Sequence, residues 1–177
     1  MAFHHVALAT RDLEATNRFY TEVMGFSLNK VVVAPTDSGG WAKHAFYDTG
    51  DGGLMAFWEL HDDAIGTTFP TDLNKSLGLP AWVNHLAFDA KDLDDLEAKK
   101  QRWREHGITV AEVDHEWCTS IYATDPNGIM VEFCSTTRAF TTEEVASAPQ
   151  LLAAPEPELE APPQIKIFPP IPAPAPA

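Results

Sequence analysis

The sequence predicts an α+β fold, in which two βαβββ modules form a cup-shaped eight-stranded mixed sheet with the helices outside. Three observations predict it. The chain repeats itself: His5-Val6-Ala7-Leu8-Ala9 matches His85-Leu86-Ala87-Phe88-Asp89, and Asp12-Leu13 matches Asp92-Leu93 at the same offset. Each copy then runs through a helical stretch that ends at a glycine, where helices often stop. Three strand-like runs follow each time, and such a unit leaves one sheet face uncovered until a second unit joins it.

In the first copy the helix is expected over residues 13–24, with Asp12 as its N-cap and Gly25 at its end. Strands follow at 27–34, 43–47 and 54–60. In the second copy Asp92 caps a helix over 93–106, Gly107 ends it, and strands follow at 110–113, 120–123 and 129–134. The modules cover about 3–62 and 80–137 of a domain spanning 1–140. Asp125-Pro126-Asn127-Gly128 is a tight turn, so Tyr122 and Glu132 fall on neighbouring antiparallel strands. His106 reads as a helix C-terminal residue favoured by the dipole.

Strand parity gives the first two candidate ligands. Side chains alternate between sheet faces, so His5 shares a face with Ala7 and Ala9, while Val6 and Leu8 lie opposite. His85 likewise shares a face with Ala87, and Leu86 and Phe88 lie opposite. Both histidines stand on the face with small neighbours, as a roomy cavity requires. His4 points the other way and reads as structural.

The remainder of the chain, residues 141–177, is rich in Pro, Ala and Glu and reads as a largely disordered or extended tail. Within it, 164–168 is an apolar island that either adds as a strand to a sheet edge or stays unstructured. The whole chain has 177 residues, 45% of them hydrophobic, which suits one domain or two small fused modules. A net charge of −14 and a pI near 4.7 argue against nucleic acid and against anionic membranes as partners. Nothing approaches the ~20 apolar residues of a membrane helix. The N-terminus has no signal-peptide pattern. Two cysteines, Cys118 and Cys134, are too few for a disulfide framework and read as reduced thiols in a cytoplasmic protein. A homo-oligomer is expected.

The stretch from His115 to Glu132 carries the functional reading. A histidine, a tyrosine, the Asp-Pro-Asn-Gly turn and a strand glutamate follow in order: His115, Tyr122, 125–128, Glu132. This order resembles the extradiol ring-cleaving dioxygenases of the vicinal-oxygen-chelate superfamily, whose architecture is the cup described above. The resemblance implies that Glu132 binds iron together with His5 and His85. Two imidazoles and a carboxylate leave three adjacent positions open, which suits non-haem Fe(II), and Mn(II) accepts the same set. It further implies that His115 acts as the acid–base group and that Tyr122 bonds the ionised oxygen of a small catechol-like substrate cleaved with O2. That family often draws another acid–base histidine from the first module. His61 and His44 are the candidates, and His61 joins His115 and Tyr122 as an expected catalytic residue.

Glyoxalase I and methylmalonyl-CoA epimerase resemble the chain too, and usually have a fourth ligand, Glu or Gln, in the first module. Aligning Tyr47 with Tyr122 sets Phe57 against Glu132, and phenylalanine cannot coordinate. Glu59, two residues on, is the residue a register shift would deliver. Trp41, Trp58, Trp82 and Trp117 can line an aromatic pocket or pack structurally. A glyoxalase-type lyase, isomerase or transferase, or a drug-binding resistance protein without catalysis, are the competing readings.

Overall fold

The computed structural model describes residues 3–50 and 52–172; the outermost ends of the expected domain and tail, 1–2 and 173–177, lie outside the described residues. The expected α+β fold and its two βαβββ modules are present. The first contains β1 (His5–Thr10), α1 (Leu13–Arg18) continuing as a π-helical turn over Phe19–Val23, β2 (Ser27–Pro35), β3 (Trp41–Asp48) and β4 (Leu54–His61). A connection with the short helix α2 (Leu73–Leu77) leads to β5 (His85–Asp89), α3 (Leu93–Glu105), β6 (Val110–Asp114), β7 (Cys118–Thr124) and β8 (Met130–Thr136).

Local chemistry explains these elements. Asp12 accepts from Ala15 N–H at 2.8 Å and Asp92 from Asp95 N–H at 2.9 Å, so both expected N-caps form. Asp125 organises the turn before β8: its Oδ1 accepts from the N–H groups of Asn127 and Ile129, both at 2.8 Å. The modules share one core on their helix-facing sides, where Phe26 meets Phe88 and Phe133, and Trp103 of α3 is fully buried. Each such aromatic contributes on the order of 2–3 kcal/mol by leaving water. Tyr20, also fully buried, ties the modules together by donating to Asp125 Oδ2 at 3.1 Å.

The strands form two sheets rather than one, ordered β1-β4-β3-β2 and β5-β8-β7-β6-β9. The edges β1 and β5 carry no ladder between them. A cavity of about 310 Å³ lined by Leu8, Ala9, Leu73, Asn74, His85 and Leu86 lies there. The connection is pinned beside it, with Asn74 bonded to Asn84 and Ala81 and with Thr71 bonded to the carbonyl of Asn127.

The tail departs from expectation in forming α4 (Thr142–Ala153), while its apolar island forms β9 (Gln164–Phe168), the edge strand that was one of the two alternatives for it. Thr141 and Glu144 make a reciprocal capping box that starts α4 despite its proline. The apolar island pairs antiparallel with β6 over five residues, and Phe168 lies under the Lys100 ammonium at 4.2 Å. No helix among the described residues is long and apolar enough to cross a membrane.

Candidate functional site

Parity places the two histidines as expected. His5 and His85 lie on the faces turned away from the shared core, while Val6, Leu8, Leu86 and Phe88 pack against it. What surrounds each histidine differs sharply between the modules.

On the second-module face, β5 and β8 run parallel with Ala87 opposite Glu132, and β7 pairs Tyr122 with Glu132. His85 Nε2 lies 3.2 Å from Glu132 Oε2, and Glu132 is buried. His85 Nδ1 lies 2.9 Å from the carbonyl oxygen of Trp82, which only accepts, so Nδ1 carries the hydrogen. His85 Nε2 and the Glu132 carboxylate oxygen can share either a proton or a bound cation. Neighbouring ligands about 2.1 Å from a six-coordinate ion sit roughly 3 Å apart, so the spacing fits. The Trp82 carbonyl is the kind of outer partner that orients a metal-binding imidazole.

Beside this pair, His115 Nε2 lies 3.1 Å from the Tyr122 hydroxyl. Burial pushes the Tyr122 hydroxyl up; Ser120 pulls it down, and the Glu132 carboxylate raises it again. Tyr122 is therefore protonated and able to donate at neutral pH. His115 is half-buried, open enough to exchange protons with water. Cys118, Ser120 and Cys134 continue this face along β7 and β8, and burial pushes the Cys118 thiol up to about 12. Both cysteines are free.

The first-module face is aromatic. His5 lies 5.7 Å from Phe46 and 6.2 Å from His44 between ring centres, and His44 stacks on Trp58 at 3.8 Å. Burial, with His5 nearby, lowers the His44 pKa and keeps the ring neutral. His4 Nδ1 bonds to His5 Nδ1 at 2.8 Å.

The structure thus brings together His85, Glu132, Tyr122 and His115, and does not bring His5 to them. Among the described residues, no group of three His, Cys, Asp or Glu side chains is placed to hold one metal ion. Nor does it bring His61 to this side. His61 stacks on Trp41 at 3.8 Å and bonds to Glu59 at 2.8 Å on the opposite face of the first sheet. His44, not His61, is the first-module histidine that shares the face of His5.

Register corrects two expectations. His5 pairs with Leu54 and Ala7 with Ala56, whereas His85 pairs with Met130 and Ala87 with Glu132. The counterpart of Glu132 is therefore Ala56, and that of Tyr122 is Phe46, since Phe46 pairs with Ala56. Phe57 is instead a fully buried core residue opposite Leu8. Glu59 consequently lies on the other face, accepting from Leu13 N–H at 3.0 Å and Lys43 Nζ at 3.1 Å. Ala56 at the position corresponding to Glu132 offers no oxygen ligand, just as phenylalanine there would not. Of the four tryptophans that could line a pocket or pack structurally, only Trp58 stands on a site face; Trp41 is on the other side, Trp82 is exposed and Trp117 packs on Phe140.

Comparison with known proteins agrees with this architecture. A family profile described as the Glyoxalase/Bleomycin resistance protein/Dioxygenase superfamily matches residues 2–133. No curated protein sequence matches the chain significantly. Among solved structures, a glyoxylase/bleomycin resistance protein/dioxygenase domain from Frankia sp. EAN1pec superposes with a TM-score of 0.60 at 20% identity, covering 79% of this chain and 95% of that one. The fosfomycin resistance protein FosX from Listeria monocytogenes gives 0.53 at 18% identity, covering 81% and 97%. The antibiotic binding protein TnmS3 from Streptomyces sp. CB03234 gives 0.51 at 19%, covering 77% and 97%. At these identities the likeness is one of fold, and the family rests on the profile match. The chain belongs to the Glyoxalase/Bleomycin resistance protein/Dioxygenase superfamily.

Proposed function

We propose that this protein is a metal-dependent enzyme that opens the ring of a catechol-like substrate with O2, using Fe(II). The observation that carries the reading is the juxtaposition on one face of an anchored His85–Glu132 pair and the His115–Tyr122 couple. Bound there, Fe(II) would supply adjacent open positions for the substrate oxygens and O2. His5 is the third ligand. Because one chain does not group it with the other two, it comes from the first-module face of a second copy, in keeping with the expected homo-oligomer. That face also supplies aromatic surface, His44, Trp58 and Phe46, against which a substrate ring can stack.

The chain's own residues handle protons and orientation. Tyr122, held protonated, donates a hydrogen bond to an ionised substrate oxygen. His115, bonded to that hydroxyl and half-open to water, takes up and returns the proton that substrate ionisation releases. The absence of an oxygen ligand opposite Glu132 favours this over a four-ligand lyase arrangement.

The test is anaerobic loading with Fe(II), then O2 uptake across a panel of catechols. The expected result is consumption of O2 with a yellow ring-opened product. His115→Ala should retain iron but turn over roughly 10²–10⁴ times more slowly, the usual worth of a positioned acid–base group. Tyr122→Phe should do less harm. A loaded protein that takes up no O2 with any catechol, yet isomerises or merely binds another ligand, would overturn the reading.

A further inference from the structure

The region matched by the family profile ends at residue 133, and much of the chain beyond it returns to one place, the turn that carries His115. That turn is unusual. Trp117 N–H donates to the His115 carbonyl at 2.8 Å across Glu116, whose φ is 68°. A three-residue turn with positive φ at its centre is the rare, strained form of the γ-turn. Glu116 is the one non-glycine residue at positive φ among the described residues. Backbone of this kind persists only where its surroundings over-determine it.

Asp114 Oδ1 accepts from Glu116 N–H and the Cys118 carbonyl from His115 N–H, both at 2.9 Å, and the added chain supplies the rest of those surroundings on both flanks. On one side, Thr137 Oγ1 donates to the Glu116 carbonyl at 3.0 Å. The N–H groups of Thr137 and Arg138 donate to the Trp117 carbonyl at 2.9 and 3.2 Å. The Phe140 ring lies 4.9 Å from the Trp117 ring. On the other side, β9 pairs Gln164 with Asp114 and Ile165 with Val113, continuing β6 up to the residue before His115. Between the two anchors, α4 buries none of its own residues, so its packing does not account for the arrangement. Its start is tied back to the anchor by the bidentate Arg138–Glu144 pair, at 2.9 and 2.7 Å.

We propose that the C-terminal extension is a clamp on the 115–117 turn, and that Thr137 is a positioning residue that holds His115 against Tyr122. The Thr137 hydroxyl and amide fix the two carbonyls that follow His115. Without them Glu116 relaxes to negative φ, the peptide after it rotates, and the imidazole swings away from its 3.1 Å partner. The functional half of this inference rests on the role proposed for His115; the structural half does not.

The experiment reads the His115 ring in the metal-free full chain by long-range proton–nitrogen NMR, with His115→Ala identifying the signal. Thr137→Val keeps the shape and removes the hydroxyl, and should move the His115 ring nitrogens toward the averaged tautomers of a free imidazole. Thr137→Ser should restore the parent signal. With Fe(II) and a catechol, Thr137→Val should lower kcat about tenfold at nearly constant KM, the scale of one lost hydrogen bond, and Thr137→Ser should recover it. A folded Thr137→Val with the parent His115 spectrum overturns the clamp. If Thr137→Val does not fold, Phe140→Ala, which frees the Trp117 ring and keeps the hydrogen bonds, is read the same way: a smaller shift of that signal supports the clamp and an unmoved one rejects it. Should the signal move in Thr137→Val while no catechol supports O2 uptake by the parent protein, the clamp stands and the ring-cleaving reading falls.

Discussion

Tyr20→Phe isolates the joint between the two modules. The hydroxyl of this fully buried residue in the first module donates to Asp125 Oδ2, in the turn that sets Tyr122 opposite Glu132. Removing one oxygen leaves almost no void, so the cost is that of the hydrogen bond. A bond to a charged acceptor is worth about 1.5–3 kcal/mol. Asp125 keeps Asn127 N–H and Ile129 N–H at 2.8 Å and Asn127 Nδ2 at 3.0 Å, which points to the lower end. About 1.5 kcal/mol, with a urea slope near 2 kcal/mol/M, lowers the midpoint by roughly 0.7 M. The pH dependence has a definite sign. Burial raises the Asp125 pKa, against the lowering effect of its hydrogen bonds, that of Tyr20 included. A carboxyl whose folded pKa is raised contributes most stability below its unfolded value and loses it as pH rises through the folded value. Losing the Tyr20 bond raises that folded pKa further. The deficit of the variant should therefore be largest near neutrality and shrink as the pH falls toward the ordinary aspartate range, about 3.9. Urea titrations of both proteins across the acid range measure this. An unchanged midpoint at pH 7, or a deficit that grows on acidification, would show that the Tyr20–Asp125 bond does not join the modules in this way.

Three further outcomes are expected. Glu59→Ala should leave Fe(II) affinity within about twofold of the parent by anaerobic competition with a chelator, because Glu59 lies on the far face; a loss of tenfold, about 1.4 kcal/mol, would make it a ligand after all. Truncation after Ala153 removes β9 and opens the β6 edge, so the urea midpoint should fall and light scattering should detect edge-to-edge association; an unchanged midpoint and a monodisperse sample would show that β9 contributes nothing. Arg138 holds the Glu144 carboxyl down to about 2, so the stability it adds is present above its ordinary value and is lost as the pH falls toward 2. The gap between parent and Glu144→Gln in amide exchange of α4 should be open at pH 6 and closed near pH 2, and a gap that does not change with pH would contradict this.

Much of the fold could be read because its causes are local. Asp12 and Asp92 cap their helices through neighbours three residues on, and the Asp125 turn closes on its own amides. Alternation along β1 and β5 sufficed to place His5 and His85 on the faces away from the core. Register between strands is not local. Matching Tyr47 to Tyr122 by identity is one residue off, and a one-residue slip exchanges the faces of a strand. That slip put Phe57 opposite Glu132 and carried Glu59 to the wrong side. His61 could not be told from His44 for the same reason. The capping box at Thr141 and Glu144 was a usable signal for α4, masked by the proline and alanine around it. The separation of His5 from the His85–Glu132 pair follows from how the modules pack, which no local pattern records.

The proposed metal set takes His5 from one copy and His85 and Glu132 from another. The direct measurement is Fe(II) content, under anaerobic conditions, of His5→Ala, of Glu132→Ala, and of hybrids purified from the two together. Each variant alone should bind no stoichiometric iron. In a two-fold hybrid one site has lost both residues and the other has lost neither, so the hybrid should recover about half the wild-type content. Hybrids as empty as their parents, or His5→Ala chains that keep full iron, would contradict the account.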